Sequence, residues 1–309
     1  MTQATTAVDG AATAVPPEPS KAPNQHGGRG VRRISRFGLL APSTAWLLLF
    51  VLAPISILFL YSFWSSENYV IIQEFTLANY RDTFSDPVFR TVMWRTLRLA
   101  FLVTATSLVL GYPVAYFIAR KVTRWKTFFY LLVIIPMWSS YLVRVYSWKA
   151  VLGEQGAVNL LLMRIGILQE PSPIFLYNVF AVYLALVGSI LPFMILPIYT
   201  SLEKIPKSLI EASADLGAGF WRTLAQVIFP LSLPGTLAGC TFTFVLVLGD
   251  FIASQLLGGT SGILIGKVIY GYFGLAFDWP MGSAMSFVLF AIVFALIGVA
   301  ARFGALREG

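Results

Sequence analysis

Six stretches of this chain, at about 39–63, 97–119, 127–148, 176–199, 234–257 and 282–302, are strongly apolar. Roughly 20 such residues cross the hydrocarbon core of a bilayer as a helix. Lipid offers no partner for backbone N–H and C=O groups, so a helix must satisfy them within the segment. The runs contain Pro54, Pro113, Pro136, Pro192 and Pro197, which neighbouring helices can accommodate. The expected fold class is therefore all-α, a polytopic membrane protein of six transmembrane helices. The first run is too long for the apolar core of a signal peptide, and no small-residue cleavage site follows it, so it reads as an uncleaved span.

Composition narrows the function. The chain is 57% hydrophobic and 12% charged, against about 25% charged in a soluble domain. A net charge of +8 would suit nucleic acid, but the basic residues sit at the ends of apolar runs rather than on one soluble face. With Cys240 and His26 as the only cysteine and histidine, no internal disulfide, Cys/His zinc site or His-based triad can be built. No carboxylate dyad lies in a span, and no Gly-rich nucleotide loop with Lys and Ser/Thr is present. No cofactor or metal is implied, and a membrane-embedded enzyme is disfavoured. A secondary transporter would favour inverted repeats and ion sites at broken helices, and no repeat is evident.

Residues 1–37 are rich in Ala, Thr, Pro and Gly and end in the basic cluster Arg29, Arg32, Arg33 and Arg36. Such a segment buries too little apolar surface to order itself, so a disordered tail is expected, followed by a six-helix transmembrane domain over 38–309. Lys and Arg fix the orientation. With the tail in the cytoplasm, 14 of the 22 basic residues fall inside and 8 fall outside or near outer helix ends. The short loop "ARKVTRWK" alone carries Arg120, Lys121, Arg124 and Lys126. Both termini are thus expected in the cytoplasm. The outer loops 64–96, 149–175 and 258–281 should pack over the outer face, the first with a short helix capped by Thr76 and ended near Pro87.

On that orientation 201–233 is a cytoplasmic loop. Pro206 suits a first helical turn, a short helix runs to Leu216, and Gly217 can take the left-handed conformation that closes it. A second short helix over 220–229 should stop at Pro230. Leu209, Ala212 and Leu216 share one face, while Glu211 and Asp215 share another and repel. Two readings stay open on spacing alone. One is a surface helix with a Lys207–Glu211 pair. The other is a docking helix whose small residues Ala212, Ser213, Ala214 and Gly217 admit a partner's backbone.

The stretch Glu211-Ala212-Ser213, Gly217, Val227-Ile228-Phe229-Pro230 resembles the EAA loop of bacterial ABC importer permeases. It departs from that pattern mildly, at Ser213, Val227 and Phe229. "YPVAYFIARK", "IIPMWSSYLVRVYSW", "LPFMILPIYTSLEKIPKSLIEASADLGA" and "GDFIASQLLGG" resemble the spermidine/putrescine permeases, from about residue 40 to the end. The resemblance implies a type I ABC importer permease, a non-catalytic subunit of the inner membrane. Its partners would be two copies of an ATP-binding cassette subunit, a second homologous permease, a periplasmic or lipid-anchored substrate-binding protein, and membrane lipid. It also implies that Glu211, Ala212, Ser213, Ala214, Asp215, Leu216 and Gly217 seat in the ATPase. Opines, aminophosphonates or ferric iron are the alternative substrates on the same scaffold.

Intramembrane ionisable residues are functional candidates, and Asp250 is the sole carboxylate deep in an apolar run. A cationic amine wants a carboxylate and aromatic faces. Trp138, Tyr141, Tyr146 and Trp148, in or beyond the outer half of the third span, join Asp250 as pathway candidates. The competing readings are an Asp250–Arg144 pair, a cap on a helix broken beside Gly249, and an interfacial belt of aromatics.

Overall fold

The computed structural model describes the backbone of residues 36–305 and the side chains of 42–298. The expected tail, with His26 and its arginine cluster, lies outside the described residues. Two compact units are distinguished, Met1–Val51 and Leu52–Gly309. The described part of the first is helical, the beginning of α1 (Arg36–Tyr61), with the rings of Trp46 and Phe50 one turn apart at 4.3 Å.

In the second unit, Ser65–Glu67 (β1) and Val70–Ile72 (β2) form an antiparallel hairpin with Glu67 opposite Val70. Its two turn residues, Asn68 and Tyr69, both have positive φ (51° and 64°), as a tight hairpin turn requires. Helix α2 (Ala78–Ser85) follows, and the Ala78 N–H donates to Thr76 Oγ1 at 3.1 Å. Helix α3 (Pro87–Tyr116) starts ten residues before the apolar run that announces it. Asp86 accepts from the Val88 N–H at 2.8 Å, and Pro87 loses no bond at a first-turn position. The helix ends in a π turn, Phe117–Lys121.

The third expected span is not one straight helix. Helix α4 (Lys126–Trp138) breaks at Ser139 and Ser140, and α5 (Tyr141–Leu152) leads to α6 (Ala157–Arg164), bent 93° from α4. The two serines are extended, and Ser139 Oγ donates to the Pro136 carbonyl at 2.7 Å, which satisfies a carbonyl freed at the break. Helix α7 (Val179–Lys204) is continuous, its first turn capped by Asn178, which accepts from the Ala181 N–H at 2.9 Å. Next come α8 (Lys207–Asp215), α9 (Phe220–Thr223), a π turn at Leu224–Ile228, α10 (Phe229–Leu248), α11 (Ile252–Leu257), α12 (Ile265–Gly274) and α13 (Trp279–Ala305). Among the described residues five helices are long and apolar enough to span, or six if the bent pair counts as one.

Two expectations are corrected here. Pro230 does not stop a helix. It lies in the first turn of α10, and the wider π turn before it absorbs the missing N–H. The fifth expected span ends at Leu248, and Gly249–Phe251 separate it from α11.

Helix α7 is the axis of the unit. Ala181, Ala185, Leu186, Met194, Ile198 and Leu202 are buried along it, between α3 and α10. Lipid is as apolar as these side chains, so close packing and polar contacts hold such helices together. A Cβ at Gly235 of α10 would collide with the Pro197 carbonyl of α7, and one at Gly239 would crowd the Met194 carbonyl, so the pair lets the two backbones approach. Tyr112 and Ser232 hydrogen-bond at 2.8 Å between α3 and α10, and Thr106 and Tyr183 at 2.6 Å between α3 and α7.

Candidate functional site

Two places gather the candidate residues: the helical hairpin α8–α9 and a cavity beside the α10–α11 break.

The hairpin is set by local chemistry. Pro206 is extended and precedes α8. Gly217 closes the helix with φ +77°. The Gly217 N–H donates to the Ala214 carbonyl at 2.9 Å and the Ala218 N–H to that of Ser213 at 3.1 Å. That is the paired bonding of a left-handed C-terminal cap. Within α8, Ile210 and Ser213 are half-buried, and the other residues are exposed. Ser213 Oγ pairs with Thr223 Oγ1 at 3.0 Å, tying α8 to α9. The side chain that departs from the EAA pattern thus makes the cross-link. Leu209, Phe220, Trp221 and Leu216 are 44%, 48%, 77% and 87% exposed. The Lys207–Glu211 pair is not formed. The ion pair found among the described residues is Lys126–Glu203, at 2.6 Å. Beside it, Arg120 Nη2 donates to the Leu202 and Ile205 carbonyls, the latter at 2.8 Å. The basic loop is thereby fastened to the C-terminal end of α7, immediately before α8.

The cavity encloses about 300 Å³. Tyr141 and Arg144 of α5, Ser189 and Phe193 of α7, and Asp250 and Phe251 between α10 and α11 are among its lining residues. Asp250 is buried. Its Oδ1 accepts from the Ala253 N–H at 2.9 Å, capping α11, and its Oδ2 accepts from Tyr141 Oη. The expected alternative of an Asp250–Arg144 ion pair is not formed. Arg144 Nη1 donates instead to the Pro136 carbonyl at 3.0 Å, and its guanidinium lies 5.7 Å from the centre of the Tyr141 ring. Arg144 Nε and Ser189 Oγ are buried without a hydrogen-bond partner, so the wall holds unspent polar capacity.

Of the sequence candidates, Asp250 and Tyr141 meet in this cavity. Trp138 and Tyr146 are 79% and 51% exposed and do not line it. Trp148 packs over Gly188 of α7, a structural position. Arg144, Ser189, Phe193 and Phe251 are lining residues that sequence reasoning did not place in the pathway. Arg144 carried the signal for it, an ionisable side chain inside an apolar run.

Helices α3 and α10 thus flank α7, and the short exposed hairpin α8–α9 precedes the penultimate span. The chain belongs to the family of binding-protein-dependent transport system inner membrane components, which it matches over residues 107–305. It is an ABC importer permease of the inner membrane, crossing it several times. It is 36% identical to the spermidine/putrescine transport system permease protein PotB of Haemophilus influenzae, over 82% of this chain and 89% of that protein. It is 38% identical to the inner membrane ABC transporter permease protein YdcU of Escherichia coli, over 76% and 78% of the two chains. Among solved structures, a bacterial alginate ABC transporter in complex with an alginate pentasaccharide-bound periplasmic protein shares the fold. There the TM-score is 0.67 at 17% identity, over 85% of this chain and 91% of that one.

Proposed function

We propose that this permease passes polyamines of the spermidine/putrescine type, delivered by a soluble binding protein, and that α8–α9 couples the passage to a separate ATPase. The chain itself catalyses no reaction. It works with two ATP-binding cassette subunits and a second homologous permease, with both termini in the cytoplasm. The observation that carries the reading is the exposed hairpin: Leu216 and Trp221 stand on a two-helix projection fixed by a left-handed glycine cap. Exposed apolar side chains on a rigid, polar-rimmed element mark an interaction site. The relatives supply the substrate class, and Asp250 in the cavity wall supplies a carboxylate suited to an ammonium group.

A second reading has one observation in its favour. Arg144 lines the same cavity, and a guanidinium beside a carboxylate suits a substrate with both charges, such as an opine or an aminophosphonate. Proteoliposomes containing the assembled transporter and its binding protein separate the two. ATP-driven uptake of labelled spermidine, suppressed by excess putrescine and not by an opine, is the expected outcome. Uptake of the zwitterion alone would replace the polyamine assignment.

A further inference from the structure

Where α3 meets the start of α7, a second cavity of about 380 Å³ is lined by Thr91, Trp94, Arg95, Arg98, Leu102 and Val179, among others. The α3 residues recur at the spacing of one helix face, so polar and apolar side chains form a graded wall. Along α3, Thr91, Trp94, Arg95 and Arg98 come before Leu99 and Leu102. Among the described residues no carboxylate lies within ion-pair distance of either guanidinium. Arg98 is exposed and lies 4.9 Å from the centre of the Trp94 ring. Arg95 is half-buried.

These arginines stand where α3 enters its apolar run. A guanidinium stays charged, and at the border of hydrocarbon an uncompensated charge is costly. An anion at that depth would compensate it. We infer that the Arg95–Arg98 cavity is a binding site for the phosphate of an anionic phospholipid, with the acyl chain along Leu102. Arginine's planar fork matches a phosphate in bidentate fashion. Trp94, 56% exposed, supplies the aromatic face found at headgroup level. The apolar end of the same wall favours a lipid over a free anion or an acidic protein surface, since neither would cover Leu102, which is 54% exposed.

Assignment to the outer leaflet rests on the orientation proposed above. Binding in detergent does not, so the two can fail separately. The test is native mass spectrometry of the assembled transporter, incubated with phosphatidylglycerol or phosphatidylcholine. The wild type is expected to retain phosphatidylglycerol in preference. The Arg95→Gln/Arg98→Gln variant should retain about tenfold less or lower, since each lost charge-assisted contact corresponds to roughly that factor or more. Arg95→Lys/Arg98→Lys should recover much of it. Because Arg98 is exposed, Arg98→Gln alone leaves the packing intact and should show the same direction if the double variant fails to assemble. Equal retention by wild type and Arg98→Gln would overturn the site. So would full displacement of the lipid by millimolar inorganic phosphate, which would make it a free-anion site. Unchanged retention with weakened capture of the substrate-binding protein would make it a docking surface instead.

Discussion

Asp250 uses both carboxylate oxygens inside the protein, one on the Ala253 N–H and one on Tyr141. A carboxylate has about four lone-pair sites, so each oxygen keeps acceptor capacity toward the cavity. The cap and the substrate contact are therefore compatible at one residue. Asp250→Asn keeps the shape but loses the charge opposite a substrate ammonium. A charge-assisted hydrogen bond contributes about 1.5–3 kcal/mol, so apparent affinity in uptake should fall about ten- to a hundredfold, with the amount of assembled transporter unchanged. Uptake assayed alongside quantitation of the complex checks this. Tyr141→Phe, which removes only the donor to Asp250, should have the smaller effect. If Asp250→Asn assembles fully and transports normally, the carboxylate is a helix cap and nothing more.

The elements differ in how legible they were. Helix α8 could be read in the sequence because Pro206 and Gly217 constrain the backbone by themselves, and Gly217 has the expected positive φ. The break between α4 and α5 could not. Pro136 lies in the last turn of α4, but Pro192 and Pro197 lie inside the continuous α7, so a proline in an apolar run does not by itself mark a break. The carbonyl contacts that stabilise this break come from Ser139 and Arg144. The β1–β2 hairpin is not legible in the sequence because its Asn68-Tyr69 turn lacks the glycine that usually marks positive φ. In the sequence Arg120 is an orientation signal, but its contacts to carbonyls about eighty residues away exist only in the fold. For α8 the prediction concerns its cap. A non-glycine residue in the left-handed region costs about 1–2 kcal/mol, more for a β-branched one, and among the described residues nothing beyond its two chain neighbours lies within 4 Å of an added Cβ at Gly217. Gly217→Val should thus insert normally and misalign the hairpin. Transport should fall at least tenfold while co-purification of the ATPase weakens. Wild-type transport by this variant would remove α8–α9 from the coupling path.

At the scale of the molecule, α3, α7 and α10 form the packed centre of the second unit, and the short basic loop is fastened to α7 by Lys126–Glu203 and Arg120. The hairpin α8–α9 is one loop beyond that fastening, so movement of the spans and movement of the hairpin share a mechanical link. Coupling to ATP hydrolysis requires this end to face the cytoplasm, the side expected from the 14-to-8 distribution of basic residues. The loop at 275–278, with Leu275 88% exposed, must face the other side. Cys240 is the single native cysteine, so one substitution gives a clean background for labelling. In intact cells a membrane-impermeant maleimide should label Leu275→Cys and spare Leu216→Cys. After permeabilisation Leu216→Cys should label, and the assembled ATPase should protect it. Labelling of Leu216→Cys from outside intact cells, or no protection by the ATPase, would contradict the account.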